Sequence, residues 1–311
     1  MAIELDQLNS CSVPFYGDVF TTQVYERNIL LEKMREKGHV VYGTEFRLPI
    51  RWRELSQAKS VDPDDARATV HVETRSAAQV QRKYAVCDTV VTWEERVTNK
   101  SDAQMAALAR DKMKEGAQDL EELISDQLYQ TLAQTGGTDI TGFYSIIRDP
   151  STASTYAGIS SADISTWVAG TYYTSAVVLA LYGSYSLEAG MRACWFETQP
   201  DLIVTSKTLV GVYASKLQPG ERRKPEGGKA GATDLYFQGS PVVNDAHCGD
   251  TNILFLNTNH LWLGHDADFN FTMAPWESDP DRLNAFRALA SFSGNLMCDC
   301  RQTQGSYTNV T

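Results

Sequence analysis

One stretch limits what this chain can fold into more than any other, and it lies between residues 101 and 135. Ser101 followed by Gln104 has the form of a capping box, in which the hydroxyl and the side-chain amide cover the first free backbone N–H groups. From there Met105, Leu108, Ala109, Met113, Ala117, Leu120, Leu123, Ile124, Leu128 and Leu132 recur every three or four residues. That spacing lays one apolar stripe along a helix. Asp111, Lys112, Lys114, Glu115, Asp119, Glu121, Glu122 and Asp126 fall mostly on the other side. Gly136-Gly137 supplies a left-handed residue to end the helix. At ~1.5 Å per residue the rod is about 50 Å long, so whatever folds around it is organised along it. Gly116 sits in mid-helix at a cost of about 1 kcal/mol against alanine, which predicts a close neighbour there.

The composition is that of an ordinary globular protein. It has 311 residues, 42% apolar and 22% charged, enough for one large domain or two ordinary ones. The first ten residues, MAIELDQLNS, lack the basic start and apolar core of a secretory signal. The longest apolar run, residues 176–182, is too short to span a bilayer. A net charge of −11 disfavours a protein that reads nucleic-acid sequence directly, and leaves open an acidic shell that merely encloses nucleic acid. The six cysteines, Cys11, Cys87, Cys194, Cys248, Cys298 and Cys300, are scattered in a way that points to reduced thiols and not to a disulfide framework.

Site chemistry is sparse. There is no GxSxG elbow, no HExxH and no GxGxxG after a strand. His247-Cys248 with His260 and His265 does not match a metal-ligand spacing, so neither a metal nor a cofactor is expected. The enzymatic alternative is a cysteine hydrolase using Cys248 with His247 and Asp250. Against it, groups adjacent in sequence rarely converge as nucleophile and base. Glu94-Glu95 could pose as paired carboxylates, but adjacent residues would face opposite ways on a strand.

The segment before the long helix is the most informative. After a short amphipathic helix over 24–36, closed by Gly38, residues 40–53 read VVYGTEFRLPIRWR. Tyr42, Phe46, Leu48, Ile50 and Trp52 alternate with Gly43, Glu45, Arg47, Arg51 and Arg53, the period of a half-buried strand. Residues 67–75 alternate again, with Val70 and Val72 on one face. A polar, turn-rich run around Asp62-Pro63-Asp64-Asp65 separates the two. The pattern predicts a long hairpin whose apolar face finds little cover in nearby sequence. Two strands alone are marginal in water, so that face either folds back on its own domain or lies across a neighbouring subunit, with Arg47, Arg51 and Arg53 toward acidic groups there. Residues 84–97 predict another strand, with Val91 and Trp93 on one face.

Beyond the long helix, residues 142–162 read as loop and turns, 174–193 as a helical block, 200–205 as a short buried strand and 207–217 as a further helix. A basic tract rich in Gly and Pro, residues 218–232, lacks the hydroxyl of a phosphate-cradling loop. ILFL (253–256), LWL (261–263), the alternating Phe269, Phe271 and Met273, and residues 296–301 are strand material. Residues 283–292 fit helix or strand equally well.

In this order the segments resemble the Hong Kong 97-type major capsid protein of tailed bacteriophages. The C-terminal third carries most of the likeness: FQGSPVVND (237–245), TNILFLNTNHLWLGHDADFNFTMAPWE (251–277) and SGNLMCDCRQTQGSYTNV (293–310). TYAGISSADISTWVAG (155–170) is similar to that family's entry into its axial domain.

The resemblance implies an α+β fold with an N-terminal arm (1–38), an extended β-hairpin loop with its flanking strand (39–99), and a spine helix in a peripheral domain (100–140). An axial domain (141–250) and peripheral return strands (251–311) complete it. It also implies a structural, non-catalytic function: self-assembly into hexamers and pentamers of an icosahedral head that encloses double-stranded DNA, formed in the bacterial cytoplasm and ending in the virion. The implied partners are other copies of the chain, a separate scaffolding protein, portal and decoration proteins, and DNA held without sequence reading; no membrane is involved. The expected subunit contacts are Phe46, Arg47, Leu48, Ile50, Arg51, Trp52, Arg53, Val70 and Val72. A tail or head–tail ring component is the other structural alternative.

Overall fold

The computed structural model describes residues 29–54, 60, 72–99, 101–130, 137–147, 155–217 and 235–311. Val70, Leu132, Gly136, most of the hairpin tip and the basic tract lie outside the described residues. The spine helix runs from Asp102 to Leu128. Ser101 caps it, with the reciprocal Gln104 contact that the sequence indicates. Met105, Ala109, Met113, Ala117, Leu120, Ile124 and Leu128 form its buried stripe. The helix is shorter than the periodicity implies: Tyr129 is its C-cap, and Leu123, expected in the stripe, is exposed.

A six-stranded sheet lies beneath the spine. Its centre is the 13-residue strand Phe286–Cys298, so of the ambiguous segment 283–292 residues 286–292 are strand and 283–285 turn into it. Along one side it pairs antiparallel with Lys83–Val91, and along the other with Leu261–His265, Thr272–Met273 and Glu277–Ser278. His39–Val40 adds in parallel beyond Leu261–His265. The close neighbour predicted at Gly116 is Thr89 of Lys83–Val91: a Cβ at position 116 would run into its hydroxyl. The missing side chain lets helix and sheet approach. The helix Ile29–Glu36 packs against Leu261–His265, with Leu30, Leu31 and Met34 buried.

A second six-stranded sheet takes the order Thr171–Tyr173, Gly305–Tyr307, Ile253–Leu256, Leu202–Thr205, Ser240–Asn244, Leu235–Phe237. Leu187–Ala193 and Lys207–Lys216 pack on it. Gly190 lies against the ring of Phe255, and the Tyr213 hydroxyl donates to the Tyr236 carbonyl at 2.8 Å. Ile253–Leu256 and Gly305–Tyr307 belong to this sheet, so the chain crosses between the two sheets more than once and a cut at residue 250 does not separate them.

Three expectations need correction. The helical block over 174–193 reduces to Leu187–Ala193, because Val177 and Leu179 bond the C-terminal residues Asn309 and Thr311 and Gly183, at a φ of +112°, turns the chain before the helix. The strand over 84–97 stops at Val91. Thr92 and Glu95 form a reciprocal cap there and start the helix Trp93–Thr98, leaving Trp93 exposed. Glu94 and Glu95 are therefore first-turn helical residues, and Glu95 bonds the Thr92 backbone N–H at 2.9 Å. That bond, followed by the nearby Lys112 ammonium, lowers the carboxyl's pKa.

Candidate assembly surface

The hairpin pairs Glu45–Arg51 with Arg75–Gln81. The second strand thus begins where the expected one (67–75) ends. Residues 72–74 carry no strand, and Val72 is half-buried outside the ladder. Phe46 faces Val80, Leu48 faces Ala78 and Ile50 faces Ser76.

The apolar face that sequence reasoning leaves bare is covered by the same chain. Phe46 is 0% exposed and Ile50 9%. Both share a core with Leu30, Leu31, Met34, Leu263 and Met297, and half-buried Leu48 and Trp52 pack against it. Gly264 makes this possible, since a Cβ there would stand 3.3 Å from the Phe46 ring and 2.9 Å from the Met297 sulfur. The strand Leu261–His265, more than two hundred residues along the chain, meets the Phe46 ring at Gly264 and supplies cover that a local reading could not find.

The root of the hairpin is pinned from both sides. Arg82, the single residue between Arg75–Gln81 and Lys83–Val91, pairs with Asp266 and donates to the Val41 carbonyl at 2.9 Å. Its backbone N–H reaches the Thr44 carbonyl at 3.0 Å, and its guanidinium lies 5.8 Å from the centre of the Phe46 ring. Asn295 donates to the Gln81 carbonyl at 2.7 Å and accepts from the Thr141 N–H at 2.8 Å. The Gln79 N–H bonds the Ala157 carbonyl at 2.7 Å. Arg82 and Asn295 had no signal in the sequence, because both act through partners far away along the chain.

The opposite face is charged and open. Arg47 is exposed and reaches Glu45 at 3.4 Å. Arg51 stands directly across the ladder from Arg75, and both are exposed, as is Arg53. Beyond the strand, Trp52 is held by its N–H to the Thr74 carbonyl and by the Thr166 hydroxyl on its own carbonyl. Ile50, Arg51, Trp52 and Arg53 line a notch of about 320 Å³ together with Trp167, Phe196 and Arg301. Arg301 is 1% exposed and donates to the carbonyls of Ile146 and Trp167, both at 2.7 Å. These bonds fix its side chain beside the notch.

The catalytic alternative finds no geometry. Cys248 is 4% exposed, its thiol points to the Asn252 carbonyl at 3.6 Å, and burial pushes its pKa up to about 12. The His247 imidazole bonds Asp126 of the spine at 2.7 Å and is not poised as a base for the thiol. His260 bonds Asp299 at 2.8 Å. Among the described residues no three His, Cys, Asp or Glu side chains come together as metal ligands, and no helix is long and apolar enough to cross a membrane.

No protein-family model matches the sequence, and no curated protein matches it. The fold has clear counterparts among solved structures. The capsid asymmetric unit of cyanophage A-1(L) superposes with a TM-score of 0.65 at 14% identity, over 92% of this chain and 93% of that one. The capsid of the native GTA particle gives 0.60 at 12%, over 90% of each chain. The holo-SrpI encapsulin complex of Synechococcus elongatus gives 0.60 at 9%, over 91% and 87%. These are structural shell proteins. The chain has the α+β fold of phage capsid proteins, as the order of its segments indicates.

Proposed function

We propose that this protein is a major capsid protein, a structural subunit that self-assembles into hexamers and pentamers of an icosahedral head around double-stranded DNA. The observation that carries the reading is a capsid fold shared over about nine-tenths of both chains with the cyanophage subunit. Shared coverage of that extent leaves little of the chain for an added catalytic domain. In this reading residues 1–38 are the arm, 39–99 the extended loop, 100–140 the spine, 141–250 chiefly the axial domain and 251–311 chiefly peripheral. Phe46, Leu48, Ile50 and Trp52 shape the loop from beneath, while Arg47, Arg51 and Arg53 face the neighbouring copy. Scaffolding, portal and decoration proteins are the further partners, and the virion is the destination.

Assembly of this kind draws its energy from many repeated contacts; obligate interfaces typically bury roughly 2,000–5,000 Å². Purified protein examined by negative-stain microscopy and sedimentation is expected to form rings or curved shells, with nuclease-protected DNA in particles recovered from infected cells. A protein that stays monomeric at high concentration refutes the reading, and a single small closed ring in place of curved sheets favours the head–tail ring alternative. Deleting residues 54 to 66 is expected to leave the helix content unchanged and abolish assembly.

A further inference from the structure

The histidines of the chain sit in two kinds of surroundings. His247 and His260 each bond a carboxylate, Asp126 at 2.7 Å and Asp299 at 2.8 Å, so a proton on either ring makes an ion pair. His265 has cations beside it instead. It ends the strand Leu261–His265, where the edge strand His39–Val40 adds in parallel and the Val41 N–H bonds the His265 carbonyl at 2.9 Å. Its half-buried ring lies against the backbone of Gly38: a Cβ there would stand 3.2 Å from Cε1 and 3.3 Å from Nδ1. Gly38 in turn closes the helix Ile29–Glu36, its N–H reaching the Arg35 carbonyl at 2.7 Å. One imidazole is therefore wedged at the joint between that helix, the edge strand and the body sheet.

The charges around that joint are one-sided. Arg35 acts on the ring from the helix and His39 from the edge strand. Asp266, next in sequence, acts on it with the opposite sign, but Arg82 already holds that carboxylate. Across the ladder stands Gly294, which carries no charge. We infer that His265 is a proton-operated latch: neutral, it lets the helix Ile29–Glu36 and the strand His39–Val40 close on the body, and protonated, it adds a cation beside Arg35 and His39 and releases them. Release uncovers Leu30, Leu31 and Met34, all buried in the closed form. Burial first, and then Arg35 and His39, hold the imidazole below its ordinary value of 6.5, against the pull of the Leu263 carbonyl and Asp266. A folded-state value lowered in this way contributes stability above the ordinary value and loses it as pH falls through the folded one. The closed form is thus fully favoured above pH 6.5 and weakens below it. The latch works within a single subunit and stands or falls independently of the shell reading.

The test is amide hydrogen exchange of the full-length, unassembled subunit, read by mass spectrometry at about pH 7.5 and about pH 5, on either side of the ordinary histidine value, and corrected for the intrinsic pH dependence of exchange. Protection of residues 29–41 is expected to fall in acid, by about tenfold for each unit by which the folded-state value lies below the ordinary one, while residues 105–128 of the spine keep theirs. His265→Gln, which keeps a polar side chain and removes the titration, is expected to abolish the fall; His39→Asn is expected to retain most of it. Equal wild-type protection at both pH values overturns the latch. A fall that survives His265→Gln overturns it as well, and one that disappears in His39→Asn assigns the titration to His39 instead. Should His265→Gln leave the segment unprotected at both pH values, Arg35→Gln decides: removing that cation is expected to shrink the fall, and an undiminished one overturns the proposal.

Discussion

The two faces of the hairpin are built from the same fourteen ladder residues and obey opposite rules. The inner face packs Phe46, Ile50, Ala78 and Val80 into the core of its own subunit. The outer face sets arginine against arginine and leaves them open. The inner face contributes to folding and the outer face does not, which leaves the outer face free to be specified by association. Substitutions on the two faces should therefore separate subunit stability from assembly, and the separation can be graded by size.

The largest effect is expected on the inner face. Phe46→Ala removes a fully buried ring and leaves a hole between Gly264 and Met297, and such truncations cost about 3–5 kcal/mol. Denaturant unfolding of the unassembled subunit should show the loss. If the monomer is unaffected, the face is covered only by a neighbour and the distinction between the two faces fails. Next comes Arg301→Met beside the notch. It strips the carbonyls of Ile146 and Trp167 of a charged donor, each such bond being worth about 1.5–3 kcal/mol. Thermal unfolding should register it even though the residue lies beside the assembly face. Third, Gly116→Val pushes a branched side chain toward Thr89, with overpacking expected at about 1–3 kcal/mol. Combining it with Thr89→Gly should restore part of the loss.

The spine was legible because its information is local. The Ser101/Gln104 cap, the apolar period and the demand for a close neighbour at Gly116 all operate within a few turns, and all three appear in the structure. The first hairpin strand was legible for the same reason. Its partner was not: RSAAQVQ puts only Ala78 and Val80 on the inner face, a weak signal beside the valines of 70 and 72. The cover over Phe46 was also hidden, since its ring meets Gly264 beside Met297, more than two hundred residues away. The fold could be read from the order of its segments, whereas the site residues Arg75, Arg82 and Phe196 depend on pairings that no local window contains.

A pH dependence tests the root that joins the two faces. Asp266 is held below its ordinary carboxyl value of 3.8, first by the Asp268 backbone N–H and then by the Arg82 guanidinium. A folded-state value lowered in this way contributes stability above the ordinary value and loses it as pH falls through the folded value. Wild type should therefore be more stable than Asp266→Asn near neutral pH, with the two converging in acid. Parallel curves for the two proteins would show that the carboxylate charge plays no part in holding the hairpin root.

The smallest effect on the fold is the most discriminating. Arg75→Glu turns the like-charge pair with Arg51 into an opposite-charge pair at the same register position, and cross-strand pairs of this kind are worth about 0.2–1 kcal/mol. The isolated subunit is expected to become slightly more stable. Its assembly is expected to weaken, because the same glutamate pairs with Arg51, one of the arginines that the proposed assembly turns toward the neighbouring copy. Opposite signs in unfolding and sedimentation are what a face reserved for association requires. If stability and assembly rise together, the arginine pair is only a local flaw in the ladder; if both fall, Arg75 has a folding contact and the outer face is no longer independent of the inner one.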